Sequence, residues 1–511
     1  MYDLDNTESL RNNSYPSSCF DQFCQDALRG ISLIYLAWLM LALVMSLFVY
    51  ISSPGFSLPG IRLSIMVYYL VLTVHVIFRI RSGGRRNILA PDIIFIVLYT
   101  AFHLGYVTLF ALNLIPSVSD IFFYQSSVSR SLFVVNLGLI GFICGYEVLG
   151  STEHPQPQRG LITVPTWGWC VFGMFMTILG VVMHLGSLAV IGISGLEQYG
   201  YGAVSDVRQY YGTAMAMVAS ESNTVVLFGA IIYMVASVLR YGKLFRSKLL
   251  FASIIGMLFL YTMEGDRGPI LYLGIAVIIV RHYLVKAVKV RYIISMALLL
   301  LVLFGAVGVI RRAKTAFTVA AKLEEYKYSK SAGLVDWRSP FIEMGGSFRV
   351  TSITCEDVPK NEPYWLGKSY LSAALHIIPF LEGYCARKGW LGPYSFWPSN
   401  WVTFTTVGTK AGGLAFTVAT EGYLNFGFPG AFMEVFACGL FIRWLTKRFS
   451  KNPSASAAFI MFGCFVFSLA IIRNHIQLVT GWFFQIFVIA YFLKMFYGDE
   501  SEPVFEDYLQ S

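Results

Sequence analysis

Charge is what this chain has least of. Only 13% of its 511 residues are Asp, Glu, Lys or Arg, against 56% hydrophobic residues and a mean hydropathy of +0.63. That excludes an ordinary soluble protein, whose composition runs nearer one-quarter charged. The eight cysteines are scattered and lack metal-ligand spacing, which removes the cysteine-based metal sites. Cys355 and Cys385 fall on one side of the topology derived below. They are a candidate disulfide if that side is oxidising, and otherwise two small buried residues. No internal repeat or low-complexity tract stands out. Residues 1–30 are polar and mixed in charge, so no cleavable leader is expected.

What the chain has instead is apolar runs long enough to cross about 30 Å of hydrocarbon as helices. About twelve are expected, near 31–51, 61–80, 92–115, 131–149, 166–193, 223–239, 249–263, 269–285, 292–310, 425–445, 454–472 and 476–497. The fold class is therefore an all-α polytopic membrane protein. The expected organisation is a tail over 1–30, helices over 31–310 with an external loop near 193–222, one long loop over 311–422, three helices over 423–497, and a tail over 498–511.

Side assignment follows from basic residues. Arg79, Arg81, Arg85 and Arg86, then Arg240, Lys243, Arg246 and Lys248, then Arg281, Lys286, Lys289 and Arg291, then Arg443, Lys447, Arg448 and Lys451 fall on alternate connections. By the positive-inside bias these connections and both termini are cytoplasmic, and the long loop is external. The net charge of +9 thus orients the chain and is no nucleic-acid signal.

Arginines on the external side need another explanation. Arg208, Arg267, Arg311, Arg312, Arg349 and Arg473 form that set. One arginine alone is as readily a snorkelling or helix-capping residue. Several converging forks of donors suit a diphosphate, and a site between membrane helices suits a lipid-linked one. Glu421, at the entry to a helix, reads either as a cap or as a general base on a sugar hydroxyl. Glu264, Asp266, His376 and His475 are the other candidate bases on this side. Ser369–Phe380 reads as a short re-entrant or surface helix that ends at Pro379 and sets His376 near the lipid boundary. Trp337, Trp365, Trp390, Trp397 and Trp401 suit either an interfacial belt or sugar stacking, the belt being the simpler reading. His75, His103, His184 and His282 lie in or beside membrane helices and His154 on the cytoplasmic side; none is assigned a role.

Gly265-Asp266-Arg267-Gly268-Pro269 opening one helix, one long external loop, the run Glu421-Gly422-Tyr423-Leu424-Asn425-Phe426-Gly427-Phe428-Pro429-Gly430 entering the next, and a late external Arg473 together resemble the Wzy family of bacterial O-antigen or oligosaccharide repeat-unit polymerases. The general layout of nearly the whole chain takes part; the specific stretches are chiefly 264–269 and 421–430. The resemblance implies a GT-C-like glycosyltransferase in the bacterial inner membrane with its long loop and site facing the periplasm. It would use undecaprenyl-diphosphate-linked oligosaccharide as both donor and acceptor, moving the growing glycan onto the non-reducing end of a new unit. It implies no metal, no cofactor and no nucleotide sugar. The external loops carry no Asp-X-Asp, and Asp3-Leu4-Asp5 lies in the cytoplasmic tail.

In that chemistry an acceptor hydroxyl displaces the lipid diphosphate, and positive groups offset the charge that grows on the leaving group. The expected catalytic residues are Glu421, His376, Arg267 and Arg473, with Arg311, Arg312, Arg349, Arg208 and His475 on the diphosphate. Three rival readings stay open: an O-antigen ligase transferring glycan to lipid A-core, a lipid-linked oligosaccharide flippase or transporter, and a loop that docks a polysaccharide chain-length regulator. A flippase would more often bury its charges midway along helices. Membrane lipids are the remaining expected partner.

Overall fold

A computed structural model describes residues 19–83, 89–115, 124–149, 167–199, 213–264, 267–289, 291–296, 298–299, 338–378, 381–391, 396–407 and 414–498. The first five helices are α1 Cys19–Ser52, α2 Leu58–Gly83, α3 Pro91–Ala111, α4 Val128–Val148 and α5 Trp167–Tyr199. Next come α6 Thr213–Tyr241, α7 Lys248–Glu264 and α8 Gly268–Val280, which runs on into one wider turn to Val285. Five short helices follow: α9 Ser339–Met344, α10 Ser347–Asp357, α11 Lys368–Ile377, α12 Leu381–Arg387 and α13 Pro398–Val407. The chain closes with α14 Val418–Lys451, α15 Ala455–Ser468 and α16 Ile476–Tyr497.

Ten helices among the described residues are long and apolar enough to cross a membrane, and the apolar stretch of α7 is a shorter eleventh. The protein is an all-α polytopic membrane protein. The twelfth expected run, 292–310, lies mostly outside the described residues. Large side chains such as Ile34, Phe48, Val182, Phe259 and Met495 point away from the bundle, where acyl chains would cover them.

Lipid is as apolar as leucine, so helices in a bilayer associate by close packing and not by burial from water. The seam between α4 and α14 shows how. A Cβ on Gly145 would sit 2.0 Å from the Phe436 carbonyl oxygen, and one on Gly439 2.2 Å from that of Phe142. Only glycine lets the two backbones meet there.

Alternating helices sort the connections onto two ends. At one end Arg79, Tyr146 and Arg443 converge, Lys447 donates to the Leu149 carbonyl, and the Trp169 indole donates to the Gly498 carbonyl. At the other, Arg62 donates to the Ala111 carbonyl at the end of α3 (2.9 Å), and Arg338 to the Leu114 carbonyl (2.8 Å). Arg130 donates to the Cys355 carbonyl (2.6 Å), and Ser126 to Glu356 (2.6 Å). These bonds seat residues 338–407 on that second end, called the mouth below. Arg62, Arg130 and Arg338 thus act there as helix-end arginines.

The long connection is more than a cover. α10 is sunk among α3, α4 and α14, with Phe348, Thr351, Ser352, Thr354 and Cys355 fully buried. Thr351 meets Thr420 of α14 at 2.8 Å. Cys355 and Cys385 are both free thiols, so the candidate disulfide is corrected to two separate buried cysteines.

Candidate functional site

The run 421–430 folds for local reasons. α14 is broken at Phe426 and Gly427; Gly427 has φ +68° and ψ −149°, a backbone that side-chain-bearing residues avoid. The arm Val418–Asn425 therefore turns back, and Gly422 meets Gly430 so closely that a Cβ on Gly430 would lie 2.0 Å from the Gly422 oxygen. The break frees the last carbonyls of the arm, and the mouth segment takes them up: Trp365 N–H donates to Leu424 O (3.0 Å) and Leu366 N–H to Asn425 O (3.1 Å). The Asn425 side chain completes the joint, accepting from Gly367 N–H (3.0 Å) and donating to Ser369 (2.8 Å) and to the Glu421 carbonyl (3.0 Å).

Glu421 is fully buried on this arm. Its Oε2 accepts from the Ile476 amide at 2.8 Å, so it satisfies a donor at the start of α16, a helix far away in sequence. Its own helix is not the one it caps. The other oxygen, Oε1, has no hydrogen-bond partner. Glu434, on the far side of the break, is also buried and accepts from Tyr370 at 2.6 Å.

A second carboxylate lies nearer the surface. Glu382, in the first turn of α12, gathers four side chains. Its Oε1 accepts from Trp397 Nε1, from Gln477 Nε2 (2.6 Å) and from Ser372 Oγ (3.3 Å), while Oε2 stands 2.7 Å from His376 Nδ1. Burial alone would raise this carboxyl, but the bonds from His376, Trp397 and Gln477 outweigh it and hold its pKa below the usual value. His475, the residue before α16, is buried with its ring 5.6 Å from that of Trp397. Burial pushes it down to about 4, against the pull of Glu382, so near neutral pH it offers no positive charge to a phosphate.

Two of the sequence-selected arginines meet. Arg267, the residue before α8, and Arg473, between α15 and α16, line one cavity of about 40 Å³ with Phe102, Tyr272, Met344 and Leu469. Arg473 lies 5.9 Å from the Phe102 ring centre, and Arg267 is buried. A cavity of that size has room for water between the two arginines. Arg349, half-buried on α10, is within electrostatic reach of Tyr124 and is not among the residues lining that cavity. Arg208, Arg311, Arg312 and Asp266, and the side chain of Glu264, lie outside the described residues.

The tryptophans divide. Trp365 and Trp401 are buried with ring centres 6.0 Å apart, Trp397 binds Glu382, and Trp390 is exposed, as an interfacial residue would be. Trp337 lies outside the described residues. Sequence reasoning missed Glu382 and Gln477. Glu382 follows His376 across Pro379 with no helical spacing to betray the pair, and Gln477 is an unremarkable amide in an apolar helix.

Among the described residues one group has the make-up of a metal site, His75, Asp92 and Glu147, at the end opposite the mouth. Arg79 already lies 2.7 Å from Asp92 and 3.7 Å from Glu147, so a side-chain cation meets that negative charge.

Compared with known families, the chain matches the one described as O-antigen polysaccharide polymerase Wzy over residues 35–499. Searches of curated proteins and of solved structures each found no match. The match spans nearly every helix and both ends of the bundle, and the chain accordingly belongs to the O-antigen polysaccharide polymerase Wzy family.

Proposed function

We propose that this polymerase joins undecaprenyl-diphosphate-linked oligosaccharide repeat units at its mouth, moving the growing glycan from its lipid carrier onto the non-reducing end of a new unit. The observation that carries the reading is the convergence of Arg267 and Arg473 on one cavity at the end where the long connection is seated. The mouth faces the periplasm, since the opposite end carries Arg79, Arg81, Arg240, Lys243 and Arg246.

The acceptor hydroxyl attacks the anomeric carbon, the bond to the diphosphate oxygen breaks, and the electron pair leaves with the diphosphate. Arg267 and Arg473 offset that growing charge with rigid donors that cannot lose their proton. Arg349, Arg311, Arg312 and Arg208 supply further donors to the diphosphate, His475 a neutral hydrogen bond, and His376 and Glu421 are the groups available to the hydroxyl proton. No divalent metal or nucleotide sugar enters these steps.

The test is reconstitution. Purified protein in proteoliposomes, given lipid-linked repeat units alone, should yield a ladder of longer glycans that persists with a metal chelator present. Movement of the lipid across the bilayer with no ladder would reject the reading. Transfer only to lipid A-core would make it a ligase.

A further inference from the structure

We infer that Glu382 is a positioning residue that orients His376 as the general base for the acceptor hydroxyl, while Glu421 holds the start of α16 in place. The inference rests on the polymerase reading above and chooses between the two groups that it leaves available.

The first argument is access. Glu421 is fully buried and spends one oxygen on the Ile476 amide. The His376 side chain is 39% exposed, at the mouth surface, where a sugar hydroxyl can arrive. A base must come within hydrogen-bond reach of the proton it takes.

The second argument is geometry. With Nδ1 2.7 Å from the Glu382 carboxylate, His376 carries its proton on Nδ1, and Nε2 keeps its lone pair. Glu382 is itself fixed by Trp397, Gln477 and Ser372, so the ring inherits a rigid mount. Gly481 on α16 leaves room beside the ring: a Cβ there would lie 3.3 Å from His376 Cδ2 and 3.6 Å from Nε2.

The third argument is distance to the arginines. Gln477, which holds Glu382, is four residues after Arg473, so their backbones are at most about 14 Å apart. That span is on the scale of a diphosphate with its sugar. When the hydroxyl attacks, its proton passes to Nε2, and the resulting imidazolium faces the Glu382 carboxylate. It then releases that proton to water. Among the described residues, Glu221, at the mouth end of α6, and His475 are in electrostatic contact with this pair.

The test compares full-length variants in the proteoliposome ladder assay. His376→Ala should slow extension about 10²- to 10⁴-fold, with partial rescue by added imidazole. Glu382→Gln should lower kcat with KM nearly unchanged. Gly481→Ala, whose Cβ would crowd the ring at Cδ2 and touch Nε2, should lower kcat more mildly. The inference is overturned if His376→Ala extends glycans normally or if Glu382→Gln leaves kcat in place. A wild-type chain that makes no ladder instead removes the polymerase reading itself.

Discussion

The two ends of the bundle use the same residue types to opposite effect. At the closed end, Arg79 pairs with Asp92 at 2.7 Å, His75 bridges Asp92 (3.1 Å) and Tyr35 (2.6 Å), and the Arg79 and Arg443 guanidinium groups flank the Tyr146 ring at 5.1 and 5.2 Å. Arg79, Asp92 and His75 are all nearly or wholly inaccessible. At the mouth, Arg267 and Arg473 border a cavity, and the Glu382–His376 pair reaches the surface. An arginine packed against carboxylate and ring, out of reach of solvent, holds helices together; one beside a cavity can hold a ligand. Accessible space, more than residue type, separates the two roles.

The comparison is sharpest where a pair is broken outright. Arg79→Ala strands the Asp92 carboxylate in the bundle and should destabilise the protein by about 3–5 kcal/mol, read as a large loss of thermal stability in detergent. If Arg79→Ala melts like the wild type, the closed end is not the clamp described here. Arg473→Ala, by contrast, should melt normally and lose about 10²- to 10³-fold in extension rate, the cost of one transition-state donor. An Arg473→Ala protein that extends glycans at full rate would put the diphosphate elsewhere.

Acid should loosen the mouth first. The folded pKa of His475, about 4, lies below its unfolded value near 6.5, so between those limits the unfolded chain binds a proton that the folded chain refuses. Stability is full above about pH 6.5 and falls as pH drops through that window, by on the order of 3 kcal/mol at pH 4. The depressed Glu382 carboxyl acts in the same direction at lower pH, its contribution being lost as pH falls through its folded value. Melting curves of wild type and His475→Gln at pH 7 and 4.5 check this: the variant should show the smaller drop. The smallest effect belongs to the closed end, where Ser454 caps α15 by accepting from the Ala457 amide at 3.1 Å. Ser454→Ala should cost about 1 kcal/mol of thermal stability and leave extension unchanged.

Much of the fold was legible because a bilayer imposes a one-dimensional rule: a run of about 20 apolar residues spans, and basic residues mark the connections. The short helix around His376 was legible too, whereas the run 421–430 read as a plain entry into a helix, without the break at Phe426 and Gly427. The seating of α10 was not legible, since threonines and serines that look like loop composition bond to Ser127, just before α4, and to α14 once buried.

By itself, then, the sequence determined a polytopic all-α protein, the helices that cross, and which arginines stand outside the basic connections. Only the tertiary structure decided that Arg267 and Arg473 share a cavity, that Glu421 serves the start of another helix, and that His376 has Glu382 for a partner. The physical reason is that hydropathy acts along the chain, residue by residue. A guanidinium fork, a cap or a carboxylate–imidazole pair depends on side chains meeting within about 3 Å across helices that sequence order leaves far apart.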